Sequence, residues 1–504
     1  MTTVVVDKES RAVQGGAAFV HGDFRYLWLG LGAVFSLFAV GARWDVPLAA
    51  WVAPVLLLRF VRLSRPLAGL SLLLVVSVAG ALWWSVQLAV PLEASMIAAC
   101  ITFGTVFSVP YVLDRWLAPR VDVVGRLLLF PSAIVTFEFA MATISPLGTS
   151  YGTRAITQSE HLALLQILSI TGPYGIGFLI GWFATLVNHV WEEVSWKSCR
   201  IPVGAFTLVL LAVLIGGSLR LAFFQYEGDY VKIAGISPDM VVRNAAGELL
   251  ESEASAAALT DEAALRVAYA AVEDELIAGT IQAAQAGAKV VVWSETAAMS
   301  LGSDERLLER ATEVASEQGI YLNVAVGQPF ARNDTYLIGP DGEHIWSYSK
   351  SYPVPGLEPI PPGDTPVPLV ETPFGHLTNV ICFDADFPAL MRVDADIMLV
   401  PGWDWPEMGR THTLKMARLR AIENGYSLFR QDYNGYSAAF DHLGRTIAGQ
   451  DTTGPGLHLM FGDLPVSGTR TIYNIVGDMF AWLCVLSLFA MAAIGIVKTT
   501  RSRS

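Results

Sequence analysis

Three residues in this chain, Glu295, Lys350 and Cys382, are of the types needed to move an acyl group. A thiolate attacks a carbonyl carbon where a thiol barely does. Some group must therefore take the thiol proton, and another must stabilise the oxyanion that develops. A carboxylate in a partly desolvated pocket can act as the base, and Glu295 suits that role. A lysine ammonium beside it keeps the sulfur ionised and can donate to the oxyanion, which suits Lys350. The expected product is a covalent acyl-thioester, resolved by water or by an amine.

The three residues share one structural address. Strands are predicted at 289–293, 344–348 and 376–381, and each of the three side chains follows the end of one of them. In α/β sheets that carboxyl edge is where side chains converge on a ligand. Plainer readings exist for each residue taken alone. A lone cysteine after an apolar strand is commonly a small core residue; Glu295 could be an acid near a helix start, and Lys350 a solvated surface charge. Cys100 and Cys484 fall in apolar stretches and Cys199 in a loop, so Cys382 is the solitary cysteine of its domain and a free thiol is expected.

The surrounding segment, 230–470, alternates short apolar runs with helical patterns, the mark of a mixed α/β domain. It opens on a strand at 231–235, followed by one or two helices over 255–287. After the strand at 289–293 come a helix at 304–318 and a strand at 321–326. A hairpin over 336–348 turns at Pro340-Asp341-Gly342. Residues 351–368 read as a Pro/Gly-rich loop. The remainder reads as strands at 397–400, 427–430, 437–440 and 446–448, with a helix at 413–424.

The rest of the chain is different. Of 504 residues 53% are hydrophobic and 16% charged, well under the quarter usual in soluble proteins, and the mean hydropathy is +0.47. The missing charge is missing from 24–224 and 474–497. Apolar stretches at 24–42, 46–61, 67–86, 94–113, 124–143, 168–189, 202–224 and 474–497 read as spans, the sixth interrupted by Gly172, Pro173, Gly175 and Gly177. The polar start of the chain does not resemble a cleavable signal peptide. Arg59, Arg62, Arg65, Arg115, Arg120, Arg126, Lys197 and Arg200 fall on the side of the N-terminus, as do Lys498, Arg501 and Arg503. That side is then cytoplasmic and the domain faces outward. The expected organisation is a cytoplasmic segment 1–23, a bundle of about seven spans over 24–225, an extracytoplasmic domain 226–472, a last span 473–497 and a cytoplasmic tail 498–504.

The motifs around the three residues are specific. They are Val291-Val292-Trp293-Ser294-Glu295-Thr296, Tyr348-Ser349-Lys350 with Glu358 eight residues on, and Ile381-Cys382-Phe383-Asp384 ending at Pro388. The stretches at 415–423 and 441–445 extend them. Together they resemble the carbon–nitrogen hydrolase (nitrilase) superfamily, which implies a Glu–Lys–Cys triad on an α-β-β-α sandwich. Membrane spans before and after such a domain resemble the apolipoprotein N-acyltransferases within it, as do Leu164-Leu165-Gln166, Thr171-Gly172-Pro173-Tyr174-Gly175 and Trp403-Asp404-Trp405. The resemblance implies a cysteine-dependent transfer of a phospholipid acyl chain, through Cys382, to the N-terminal amine of a lipoprotein in the bacterial inner membrane. It casts Glu295 as base and Lys350 as oxyanion partner, with Glu358, Phe383, Asp384, Trp403 and Trp405 supporting or binding substrate. It implies no cofactor and no metal.

Two other readings stay open. Phe383-Asp384 stands where the acyltransferases usually have Tyr-Glu, and Cys-aromatic-Asp is closer to soluble amidases, so a membrane-tethered amidase acting on a small amide is one. A non-catalytic membrane scaffold is the other. The net charge of −13 argues against nucleic-acid partners. The histidines, including His376, His412, His442 and His458, lack metal-ligand spacing. Gly148-Thr149-Ser150-Tyr151-Gly152 spells a nucleophile elbow, but it lies between two spans rather than between a strand and a helix.

Overall fold

A computed structural model describes residues 24–193, 195–243, 262–300 and 302–501. The expected cytoplasmic segment 1–23, the start of the helix expected from 255 and the last residues of the tail lie outside them. The first half is helical: α1 (Phe24–Leu37), α2 (Pro47–Leu63), α3 (Pro66–Gln87), α4 (Ala94–Leu117) and α5 (Val123–Ile144). Short helices α6 (Leu162–Leu165) and α7 (Leu168–Thr171) lead into α8 (Tyr174–Glu192) and α9 (Trp196–Phe223), and the last described helix covers Met479–Arg501.

Five of the described helices are long and apolar enough to cross a membrane, and six if the broken pair at 162–192 counts as one. Helix α1 is shorter, and α2 has 17 residues. The break falls where the glycines and proline of the sixth stretch predicted it. The chain bends by 111° there, and Gly172 takes φ +62 with its Cα against the ring of Tyr473. A side chain at Gly172 would enter that ring. Broken backbone at membrane depth is tolerated where protein covers it.

The domain is two stacked sheets with helices outside. One sheet runs β13-β1-β2-β4-β5-β6, with the short β3 pairing β4; the other runs β12-β11-β10-β9-β8-β7. Their residues are β1 (Tyr230–Ser237), β2 (Val290–Trp293), β3 (Ala298–Met299), β4 (Tyr321–Gln328), β5 (Arg332–Ile338), β6 (His344–Ser349), β7 (Leu369–Thr372), β8 (Gly375–Asn379), β9 (Ile397–Trp403), β10 (Ser427–Tyr433), β11 (Tyr436–Phe440), β12 (Thr446–Asp451) and β13 (His458–Pro465). Strands β1, β2 and β4 pair in parallel, as do β8, β9 and β10, and antiparallel strands flank both trios. Parallel strands must be covered on both faces. Here Ile233, Val290 and Val292 meet Leu377, Leu399 and Phe429 between the sheets. Ala234, Val291 and Trp293 pack outward on the helices Glu262–Gln285 and Glu305–Gln318.

The second sheet's outer face is covered by Ala417 and Ala421. Their neighbours Met416, Leu419 and Ile422 pack the opposite way, against Leu164, Leu168 and Ile176 of the bundle. The helix Arg418–Asn424 is therefore buried on every side, and domain and bundle share one core. Two strands at the sheet edges, β7 and β13, were not expected from the sequence; β13 closes the first sheet against β1.

Candidate active site

Strand β8 ends at Asn379, and three residues later Cys382 starts a tight turn with φ +47. Left-handed backbone costs a non-glycine residue roughly 1–2 kcal/mol, so something must hold it. Asp384 does. Its carboxylate accepts from Ile381 N at 3.1 Å, Tyr352 N at 2.8 Å and the Tyr348 hydroxyl at 2.8 Å. Burial pushes this carboxyl up to about 6. Asp384 is thus an internal brace behind the turn rather than a wall of the site. Strain held by surrounding contacts gathers at functional sites.

The thiol is 3% exposed and opens into a cavity of about 350 Å³. Lys350, directly after β6, enters the same cavity with its Nζ 2.7 Å from Glu295 Oε1 and 2.7 Å from Glu358 Oε1. Glu295 follows β2 by two residues and lies behind Lys350, 1% exposed. Its Oε1 also accepts from Asn333 Nδ2 at 2.7 Å, while Oε2 has no hydrogen-bond partner among the described residues. Its backbone N–H reaches Gly402 O at 3.3 Å on β9, which ties the two sheets together at the site. Glu358 accepts from Val354 N at 2.6 Å and keeps 24% of its side chain in solvent.

The charges follow from burial. Desolvation alone would lower Lys350, but Glu295, Cys382 and Glu358 around it raise its pKa, so it remains an ammonium and a donor. Burial, then Glu295, raises the Cys382 thiol well above its usual range, with Lys350 and Arg430 pulling it back. Glu358 is raised by burial and by Glu295, against Lys350. The resting sulfur is therefore a thiol, and a base must act when the substrate arrives. At rest Sγ points to Trp403 O at 3.7 Å, a backbone carbonyl that cannot take its proton away.

Of the supporting residues expected from the sequence, Phe383 lines the cavity and meets Phe387 edge-on at 5.5 Å. Trp403 stands half exposed at the lip, with the Arg243 guanidinium 4.3 Å from its ring. Trp405 lines the cavity and donates through Nε1 to Leu88 O at 2.5 Å, so it also ties the domain to the bundle. The bundle supplies the far wall through Trp84, Val90, Pro91 and Met96.

Sequence reasoning missed Asn333, Arg430, Asp404 and His412. Arg430 Nη2 is 2.8 Å from Asp404 Oδ2, and His412 sits between Asp404 at 2.9 Å and Asp386 at 3.3 Å. A signal was present: charged Arg430 and Asp432 interrupt a strand that is buried throughout. His412 lies in a π-helical turn over Thr411–Ala417, a widening common at functional sites and invisible in a residue pattern.

The Gly-x-Ser-x-Gly stretch has a different use from the one it spells. Gly148, at φ +52, lets the loop approach Asp386, whose carbonyl lies 2.5 Å from where a Cβ would stand. Thr149 N and Oγ1 donate to that carbonyl at 2.9 and 2.7 Å, and Ser150 Oγ donates to the Asp386 carboxylate.

Residues 252–473 match the carbon–nitrogen hydrolase family, and residues 30–186 match the apolipoprotein N-acyltransferase N-terminal domain. The chain is 28% identical over 376 residues to an apolipoprotein N-acyltransferase of Bradyrhizobium diazoefficiens, covering 65% of this chain and 66% of that protein. It is 26% identical over 409 residues to another from Geobacter metallireducens, covering 74% of each. The chain thus spans about two thirds to three quarters of these relatives. Among solved structures, an amidase from Nesterenkonia sp. matches at 18% identity and a TM-score of 0.37, over 48% of this chain and 93% of that one. Taken with the paired sheets, residues 252–473 belong to the carbon–nitrogen hydrolase (nitrilase) superfamily, and the chain is most like the apolipoprotein N-acyltransferases within it.

Proposed function

We propose that this protein is a membrane N-acyltransferase that moves a phospholipid acyl chain through a Cys382 thioester to the N-terminal amine of a lipoprotein. One observation carries the reading: the cavity that holds Cys382 is walled on its far side by Trp84, Val90, Pro91 and Met96, residues of the membrane bundle. A small soluble amide needs no such wall, whereas an acyl chain arriving from a bilayer does. The matches to the acyltransferase N-terminal domain support the same reading.

In the first half-reaction Glu295 accepts the thiol proton and the sulfur attacks the ester carbonyl. Lys350 donates to the oxyanion, the ester C–O bond breaks, and the departing alkoxide takes the proton back from Glu295. In the second, the acceptor amine attacks the thioester, passes its proton to Glu295, and the C–S bond breaks. The returning sulfur recovers that proton. Glu358 shares the ammonium of Lys350 and holds it in place. Phe383, Trp403 and Trp405 shape the lipid-facing cavity, and Asp384 fixes the turn that presents the thiol. The arginines of the loops on the side of the N-terminus support a position for this domain, about residues 226–472, on the outer side of the bacterial inner membrane.

A thioester trap tests the reading. Detergent-purified protein incubated with labelled phospholipid should gain a hydroxylamine-sensitive acyl label that Cys382→Ala abolishes. Hydrolysis of small amides without any lipid label would replace the transferase with an amidase.

A further inference from the structure

The geometry points to Arg430 as a further catalytic residue, a second fixed cation that stabilises the ionised sulfur of Cys382. The inference rests on Cys382 being the nucleophile. Arg430 is 1% exposed and lies on β10, a strand adjacent neither to Lys350 nor to Glu295. Its Nη2 is 3.6 Å from Cys382 Sγ, and its Nη1 is 3.4 Å from the Cys382 carbonyl. One guanidinium therefore touches both the reacting atom and the backbone of the strained residue that carries it. A planar fork of donors can serve two acceptors at once, which an ammonium cannot do in the same way.

A buried guanidinium needs counter-charge, and its supply is specific. Asp404 pairs with Arg430 at 2.8 Å; His412 pairs with Asp404 at 2.9 Å and with Asp386 at 3.3 Å; Asp386 receives Ser150 of the membrane loop. Burial alone would lower His412, but the two carboxylates raise it to about 10, so it stays charged near neutrality. Burial would raise Asp404, yet His412 and Arg430 hold it well below the usual carboxylate range. Asp432, buried 3.8 Å from Arg430 Nε, is pushed well above the usual carboxylate range by burial and then by Asp404, so Asp404 and Asp386 are the anions that balance the two cations. Glycine at 402 makes room for the guanidinium, since a Cβ there would stand 2.8 Å from Arg430 Nη2.

The thiol is faced by four charges: Lys350 and Arg430 favour the thiolate, while Glu295 and Asp404 oppose it. Opposite charges within about 4–6 Å shift a pKa by about 1–3 units. The experiment is the pH profile of iodoacetamide labelling at Cys382, read by mass spectrometry of its peptide in full-length, detergent-purified protein. Arg430→Gln should move the profile up by about one pH unit, roughly tenfold slower labelling at fixed pH. Arg430→Lys should recover part of that. Asp404→Asn should move it the opposite way, because it removes a charge that opposes the thiolate.

A purely structural Arg430 would make both changes perturb the profile alike, or leave it unmoved, and either result overturns the inference. Should Arg430→Gln fail to fold, the direction of the Asp404→Asn shift decides alone. The readout needs no phospholipid. Opposed shifts in a protein that takes no acyl label would sink the transferase and leave the role of Arg430 standing.

Discussion

Two charged clusters meet at Cys382, and they are built on opposite plans. On one side Glu295 and Glu358 share the single ammonium of Lys350, each 2.7 Å away, and Glu295 keeps a bare oxygen. On the other, Arg430, Asp404, His412 and Asp386 alternate in sign. The first carries one excess negative charge, and burying that excess makes protons bind more tightly there, as the raised Glu358 and Cys382 record. The second balances Arg430 and His412 with Asp404 and Asp386, and the buried Asp432 beside Arg430 is pushed toward its neutral form by burial and then by Asp404. Proton transfer therefore belongs to the first cluster and a fixed field to the second. A site needs both, because a group that moves protons cannot also be a constant charge.

The largest break in this contrast is Lys350→Met. It leaves the buried Glu295 and the partly exposed Glu358 facing each other without a cation, and single-turnover acyl labelling from phospholipid should fall by roughly a thousandfold. Labelling within tenfold of the wild type would remove Lys350 from the chemistry. Glu358→Gln takes away the excess charge but keeps Lys350 on Glu295, so about a tenfold loss is expected in the same assay. A loss as deep as that of Lys350→Met would mean that Glu358, not Glu295, is the working acid.

The second cluster is probed by His412→Gln, with a few-fold loss of labelling and a change in stability with pH. The folded pKa of His412, about 10, lies above its ordinary 6.5. Its stabilising charge is then fully present below pH 6.5 and fades as pH climbs through 10. Over that window the Tm of the wild type should drop more than that of His412→Gln; parallel curves would show that the imidazolium is not what holds Asp404 and Asp386 together. The smallest effect belongs to Trp403→Ala at the half-exposed lip, a change in KM for the lipid with kcat nearly unchanged. A collapse in kcat would move Trp403 from the rim to the reacting centre.

Much of the first cluster was legible in the chain and little of the second. Glu295, Lys350 and Cys382 each stand next to a short apolar run that reads as a strand, and strand ends converge at one edge of an α/β sheet. Asp384 was expected to support the site or bind substrate, and its carboxylate points back to Tyr348, Ile381 and Tyr352. A residue adjacent to a nucleophile can face either way, and sequence does not encode the choice. Arg430, Asp404 and His412 sit on a strand, a strand-end loop and a π-helical turn, and no spacing rule links them.

By itself the sequence determined which stretches form apolar helices, where the sixth stretch must break at Gly172-Pro173, and which side chains end up at strand ends. Those features are local, set by hydropathy and by backbone freedom over a few residues. Only the tertiary structure decided that β13 returns to pair with β1, that Gly148 lets a membrane loop rest on Asp386, and that a guanidinium reaches the sulfur from a strand 48 residues further on. The physical reason is that these contacts are made by long-range closure of two sheets and a bundle around one buried site. Their partners are chosen by charge balance in a dry interior, a condition that exists only after the chain has folded.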